Sequence, residues 1–169
     1  MIEAMGILLY VFIVIASGVC AYLLGLLNGA LYIPTDNETV EKMITAAALT
    51  ADDRLVDIGS GDGRLVIAAA RAGAEAKGFE INPFLVWLAR RKIRAAGLEK
   101  RATIEWKDFW RADLSSYSVV TVFGIGHVMG RLERKLAKEL KPGSRVVCNL
   151  FALPTWKGKK EDVFIYTAP

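Results

Sequence analysis

Nine consecutive residues restrict the fold more than any other part of the chain: Val56-Asp57-Ile58-Gly59-Ser60-Gly61-Asp62-Gly63-Arg64. A short β-type run, Arg54 to Ile58, stops at Gly59, and a helical pattern from Leu65 to Ala72 begins directly afterwards. Glycine at every second position permits backbone angles and a closeness of approach that any Cβ blocks. A tight turn needs one or two glycines, so three in alternation point to a ligand lying against the backbone.

The same strand-to-helix change recurs along the chain. Ala76 to Ile81 is predicted as a strand, Pro83 to Ala96 as a helix opened by proline, and Ala102 to Trp106 as a strand. Strands over Ser118–Phe123 and Ser144–Phe151 flank a basic amphipathic helix, Val128–Leu140, and Val163–Tyr166 gives a last strand. Before the glycine turn, Thr35 with Glu38 fits a capping box for a helix carrying Val40, Met43, Ile44 and Ala47. Alternating strands and helices imply a mostly parallel sheet with helices on both faces, in which ligands bind beyond the carboxyl ends of the strands.

The residues on the turn narrow the ligand. A nicotinamide-binding turn has Gly-x-Gly-x-x-Gly and offers amides to a pyrophosphate, whereas this turn carries Asp62 and lacks the Gly-Lys-Ser/Thr ending of a Walker loop. An acid there disfavours phosphate and suits a cation. Glu80, which ends the second strand, can accept both hydroxyls of a ribose, with Ile81 and Asn82 following it. Asp108 and Phe109 after the third strand supply an acceptor and an aromatic face for an adenine. Asp57, Gly59, Ser60, Gly61, Asp62, Gly63, Glu80, Ile81, Asn82, Asp108 and Phe109 are therefore the predicted cofactor-binding set. Together they make the constellation of class I S-adenosylmethionine-dependent methyltransferases, of Rossmann-like α/β fold.

The ordered segments Tyr32-Ile33-Pro34-Thr35, Asp57 to Arg64, Gly78-Phe79-Glu80-Ile81-Asn82-Pro83, Lys107-Asp108-Phe109-Trp110, Val122-Phe123-Gly124 and Leu132-Glu133-Arg134-Lys135-Leu136 resemble a narrower group. These are the membrane-anchored protein-lysine methyltransferases that modify the ATP synthase c subunit or the adenine nucleotide translocase in mitochondria. The resemblance implies S-adenosylmethionine as cofactor and a membrane protein with a target lysine as partner. The substrate mouth is expected near Pro34, Thr35, Asp36, Trp110, Phe123 and His127, with no dedicated base required. His127 is a candidate proton acceptor, although a histidine at a strand-to-helix junction is more often structural. Trp106 and Trp156 are expected to pack.

From Met5 to Ile33 there is no Asp, Glu, Lys, Arg or His. As a helix, 29 such residues reach about 43 Å, against a hydrocarbon core of roughly 30 Å. One transmembrane helix, near Ile7 to Leu27, is expected at the head of the chain, with residues 5–33 meeting the lipid bilayer and 34–169 forming the catalytic domain. A cleaved signal peptide is the rival, but only Glu3 is charged before the apolar run, where a basic segment is usual. No Arg-rich presequence precedes the run, so a prokaryotic relative at the plasma membrane, facing the cytoplasm, is expected.

All 22 Lys and Arg and 17 of the 18 acids follow residue 33, giving that part a formal charge of +5. Basic clusters fall at Arg90, Arg91, Lys92 and Arg94, along Arg131 to Lys141, and at Lys157 to Lys160. They read equally as solvated helix faces or as attraction to anionic lipid or an acidic partner. After the fourth strand, Phe123-Gly124-Ile125-Gly126 stands where nucleic-acid amino methyltransferases carry Asn/Asp-Pro-Pro-aromatic, so nucleic acid is not an expected partner. No metal is expected. A small-molecule or lipid methyltransferase, and a cofactor-binding membrane scaffold without activity, remain open as alternatives.

Overall fold

Alternate strand residues face opposite layers, which is how a run such as Val119 to Val122, apolar but for Thr121, comes to be buried throughout. The computed structural model describes residues 2–28, 34–124 and 126–169, with side chains of the first helix given for 5–19. The chain divides into two units, Met1–Ile33 and Pro34–Pro169.

In the first unit, α1 spans Ile2–Asn28. Every described side chain from Met5 to Val19 is exposed. Among the described residues no helix is long and apolar enough to cross a membrane. The described side chains of α1 cover 15 positions, fewer than the roughly 20 apolar residues a span needs. The span expected over Ile7 to Leu27 runs beyond them, and Tyr32 lies outside the described residues.

The second unit is a seven-stranded sheet in the order β3-β2-β1-β4-β5-β7-β6. The strands are β1 Arg54–Ile58, β2 Glu75–Glu80, β3 Ala102–Trp106, β4 Val119–Phe123, β5 Arg145–Asn149, β6 Gly158–Lys160 and β7 Phe164–Thr167. The first five run parallel, and β7 is antiparallel to both β5 and β6. The fold is thus the expected Rossmann-like α/β class with a mostly parallel sheet.

Helices α2 Asn37–Ala47, α3 Arg64–Arg71 and α4 Pro83–Ala95 cover one face. Their Met43, Val66, Ala69, Val86 and Ala89 pack on Leu55, Ala76, Ile104, Val119 and Val147. Helix α5, Gly126–Glu139, covers the other, where Met129, Leu132 and Leu136 meet Val56, Ile58, Val120, Val122, Val146 and Cys148. Val56 and Leu55 therefore belong to different cores, as period-two alternation requires.

Two local expectations change. The N-cap of α2 is Asp36, whose carboxylate accepts from Thr39 N at 2.8 Å and Thr39 Oγ1 at 2.7 Å. Thr35 is thereby displaced from the cap, and Glu38 pairs with Lys42 at 2.8 Å instead of reaching back. The final strand is joined by β6, whose Gly-Lys-Lys sequence is exposed at all three positions and carries no apolar alternation.

Candidate active site

Strand β1 pairs with β2 on one side and β4 on the other, so the order of strands reverses between β1 and β4. The crevice beyond the carboxyl ends at that reversal is where an open α/β sheet binds its ligand. Ile58, Glu80 and Trp106 end the strands on one side of it. Phe123 and Asn149, paired in register, end those on the other.

The glycine turn is fastened to β2. Gly59 N and Ser60 N both donate to Phe79 O at 3.0 Å, and Gly61 N donates to Glu80 Oε2 at 2.9 Å. Gly59 has φ +74°, and a Cβ built there meets no atom within 4 Å, so the space over the turn is open to a ligand. At Gly63 the constraint comes from within: a Cβ would lie 2.9 Å from Ala89 Cβ on α4. Ser60 Oγ is buried with no hydrogen-bond partner among the described residues, in the space that a Cβ on Gly78 would occupy.

The carboxylates divide by environment. Asp57 is 6% exposed and accepts from Thr121 Oγ1 at 2.9 Å. Burial pushes it up to about 7; the Thr121 hydrogen bond opposes this, and the charges of Glu80 and Asp62 add to it. A buried carboxyl poised there gains most from a cation. Glu80 accepts one backbone N–H on each oxygen, from Gly61 and from Asn82 at 2.8 Å, and each oxygen keeps a lone pair. Asn82 caps α4 by accepting from Phe84 N at 3.0 Å, so its side chain is committed to the helix. Asp108 Oδ1 accepts from Trp110 N at 2.9 Å, and Oδ2 has no partner among the described residues.

Asp62 is not the free acid that its place in the turn suggests. Its side chain is 4% exposed and bridges Arg64, at 2.8 Å, and Lys92. Burial raises its pKa, but these two cations outweigh it and hold the carboxyl well below the usual range. The charge is neutralised where the turn meets α3 and α4, so the anion-repelling character of the site rests on Asp57 and Glu80.

Arg64 also donates to Thr35 O, which brings the segment ahead of α2 beside the turn. Pro34 and Asp36 are exposed next to it, and the Asp36 carboxylate is occupied as a cap. Phe123 is half-buried at the end of β4, and His127 is exposed in the first turn of α5 without a hydrogen-bond partner among the described residues. Phe109 and Trp110 stack at 4.4 Å, half-buried, with Arg131 4.0 Å over the Trp110 ring. Within the cofactor set, Glu80 bonds Gly61 and Asn82 directly, while Asp57, Asp62 and Asp108 are held by Thr121, by Arg64 with Lys92, and by Trp110 N. The mouth set is divided, with Thr35 at the glycine turn and Phe123 and His127 across the strand-order reversal.

Several residues of the crevice were not anticipated. Thr121 stands in the middle of an apolar strand and gave no signal beyond being the one polar residue there. Asn149, 8% exposed, ends β5, and Leu150, at φ +65° and 62% exposed, follows it. Phe151 approaches the start of α5, 3.4 Å from where a Cβ on Gly126 would stand. The strand expected to run to Phe151 stops at Asn149, which turns Leu150 and Phe151 into rim residues. Trp106 is 67% exposed, contrary to its expected packing role, because β3 is the sheet edge and α4 stops short of covering it.

Residues 57–160 match the ANTKMT methyltransferase domain. The chain belongs to the ANTKMT methyltransferase family. The family's matched region begins at Asp57 and takes in the glycine turn, Glu80, Asp108, Phe123 and His127. Over 125 residues the chain is 41% identical to the ATP synthase c-subunit lysine N-methyltransferase of Mus musculus, covering 74% of this chain and 50% of that protein. It is 39% identical over 131 residues to a protein-lysine N-methyltransferase of Saccharolobus islandicus, covering 76% and 81%. The chain thus spans about half the length of the mouse relative and most of the archaeal one. A crystal structure of an RNA methyltransferase from Salinibacter ruber in complex with S-adenosyl-L-homocysteine superposes with a TM-score of 0.79 at 36% identity, covering 81% of this chain and 94% of that one.

Proposed function

We propose that this ANTKMT-family protein is an S-adenosylmethionine-dependent protein-lysine N-methyltransferase, held at a membrane by α1 and acting on a membrane or membrane-associated protein. The observation that carries the reading is the placement of two buried acids, Asp57 at β1 and Glu80 bonded to Gly61 N and Asn82 N, beside a glycine turn left open at Gly59. The lysine methyltransferase activity named for the mouse and archaeal relatives supports the choice of substrate.

The residues fit the cofactor part by part. S-adenosylmethionine, when bound, supplies an electrophilic methyl group on a cationic sulfur. Asp57 places a buried acidic group near the end of β1, where it would ionise against the cofactor's positive charge. The remaining lone pairs of Glu80 would accept the ribose hydroxyls, and Asp108 Oδ2 would accept from the adenine amino group. Gly59 lets the chain approach without a side chain between.

A lysine amine with pKa near 10.4 is mostly protonated at neutral pH, and exposing its lone pair costs on the order of 4–5 kcal/mol. Burial beside Phe123 would disfavour the ammonium and offset part of that cost. Alignment of nitrogen, methyl and sulfur in line then needs no dedicated base.

The anchor reading is supported by an uncharged run from Met5 to Ile33 and by a helix of 27 residues. At 1.5 Å per residue α1 is about 40 Å long. Tethering in the plane of a membrane raises the effective concentration of a substrate held in the same plane. The domain faces the cytoplasm, where the cofactor is made.

The test is transfer from methyl-labelled S-adenosylmethionine by the full chain into host membrane, soluble and RNA fractions, each separated into protein, lipid and nucleic acid. Label in a discrete membrane-protein band is expected. Label confined to RNA or to the lipid extract overturns the substrate assignment, and no label at all overturns the activity.

A further inference from the structure

The groove between α4 and the edge strand β3 is an aromatic and cationic surface that the proposed activity does not use. Its volume is about 690 Å³, and Pro83, Trp87, Arg90, Arg91, Arg94 and Trp106 line it. On α4 the spacing explains its composition: Leu85, Val86, Ala89 and Ile93 turn inward, leaving Phe84, Trp87, Arg90, Arg91 and Arg94 on the outer stripe. Trp106 lies on the same face of β3 as buried Ala102 and Ile104, one step past the cover that α4 provides.

Three aromatic rings therefore stand in water: Phe84 is 63% exposed, Trp87 54% and Trp106 67%. They are held in place. Trp106 Nε1 donates to Ile81 O at 2.9 Å, Phe84 and Trp87 lie 5.9 Å apart, and the Arg91 guanidinium sits 5.7 Å over the Trp87 ring. Arg90 Nε donates to Ile104 O at 2.9 Å, which fixes its guanidinium along the groove.

The charge is unbalanced. Helix α4 carries no acid, and Lys92 is spent on Asp62. Among the described residues no carboxylate pairs with Arg90, Arg91 or Arg94. Such a surface calls for an occupant that is anionic and also receives indole rings. An anionic bilayer surface supplies both, since tryptophan seats at the headgroup level and arginine pairs with lipid phosphate. The same chain carries α1, whose described side chains from Met5 to Val19 are all exposed and uncharged.

We infer that the α4–β3 groove is a second membrane contact, in which Trp87 and Trp106 seat among anionic headgroups and Arg91 and Arg94 pair with their phosphates. The contact lies beside Ile81 and Asn82 and so orients the cofactor crevice relative to the bilayer. That orienting role rests on the proposed membrane activity, whereas the contact stands on the groove itself.

The test uses the full chain with vesicles of phosphatidylcholine alone or mixed with phosphatidylglycerol, each carrying brominated acyl chains that quench nearby tryptophan. Quenching roughly threefold greater in the anionic vesicles is expected, lost in Trp87→Phe/Trp106→Phe and returned to the neutral-vesicle level in Arg91→Gln/Arg94→Gln. Equal quenching in both vesicles, or quenching unaffected by these substitutions, overturns the proposal. So does a single-stranded RNA that protects the two tryptophans while anionic vesicles do not. Flotation with neutral vesicles reports α1 separately: a chain that floats only with anionic vesicles keeps the groove and removes the anchor. Calorimetric binding of S-adenosylmethionine by both double variants, expected unchanged, shows that the fold is intact.

Discussion

Thr121 Oγ1 donates to Asp57 Oδ1 at 2.9 Å across the β1–β4 pair, at the reversal of strand order. The bond ties the one buried acid of β1 to the strand that ends at the expected substrate side. Burial nevertheless dominates and pushes Asp57 up to about 7.

Stability follows from the sign of that shift. A carboxyl whose folded pKa lies above its unfolded value favours folding most below about 4, and this contribution is lost as pH rises through 7. Every tenfold change in proton affinity between the folded and unfolded chain corresponds to about 1.4 kcal/mol. Asp57→Asn is expected to unfold at a higher temperature than the wild type at pH 8 without cofactor, and to lose the decline between pH 4 and 7. Thermal scans across pH check this; an equal or lower melting temperature at pH 8 contradicts it.

Cofactor affinity moves the opposite way with pH. Ionising Asp57 against a cation releases a proton, so affinity is expected to fall below pH 7, approaching tenfold per pH unit, and to level off above. Calorimetry in buffers of different ionisation heat measures the released proton. A flat profile in the wild type, or an unchanged slope in Asp57→Asn, places the proton elsewhere.

Glu80 accepts from Gly61 N and Asn82 N on separate oxygens. Glutamine has one acceptor oxygen, so Glu80→Gln leaves one of these amides facing an NH₂ group. Charged hydrogen bonds contribute about 1.5–3 kcal/mol each, and a loss of roughly ten- to hundredfold in cofactor affinity is expected. Equilibrium binding that stays within twofold of wild type would remove Glu80 from the ribose site.

Much of this site was legible from the turn alone, because glycine spacing and the acids at strand ends act through local backbone geometry. The partners of those acids were not. Lys92 reaches Asp62 from 30 residues away, and only the folded packing of α4 against the turn brings them together. The Asp36 cap was missed by one residue because Thr and Asp are both good N-caps and sequence does not rank neighbours. Strand β6 gave no pattern because its lysines face water at a sheet edge. Trp106 looked like a packing residue because sequence records neither which strand is the edge nor where a covering helix ends.

At the opposite end of the sheet, Asp53 gathers Arg145, Ser118 Oγ at 2.7 Å and Thr50 N at 2.8 Å. Burial opposes its charge, but these donors hold the carboxyl well below the usual range. That stabilisation is present above about pH 4 and lost as pH falls. Asp53→Ala is expected to cost about 2–3 kcal/mol, less than a fully buried pair because Arg145 is 28% exposed. Urea unfolding gives the cost; altered cofactor affinity in the folded variant would show that the two ends of the sheet are coupled.

Leu150 holds φ +65° while 62% of it is exposed. A left-handed leucine costs roughly 1–2 kcal/mol, which glycine relieves while adding freedom to the unfolded chain. Leu150→Gly is expected to leave stability within about 1 kcal/mol of wild type and to raise KM for the protein substrate several-fold. An unchanged KM means that the strained leucine does not contact the substrate.

The proposed function stands or falls on whether the methyl group ends on a lysine. The most direct measurement is peptide mass spectrometry of membrane protein labelled by the full chain from methyl-deuterated S-adenosylmethionine, with Glu80→Gln as the control. Deuterated methyl-lysine in a membrane-protein peptide, strongly reduced in the control, is the result expected. Deuterated methyl on another side chain, or on nucleosides in the same reaction with lysine unmodified, contradicts the assignment.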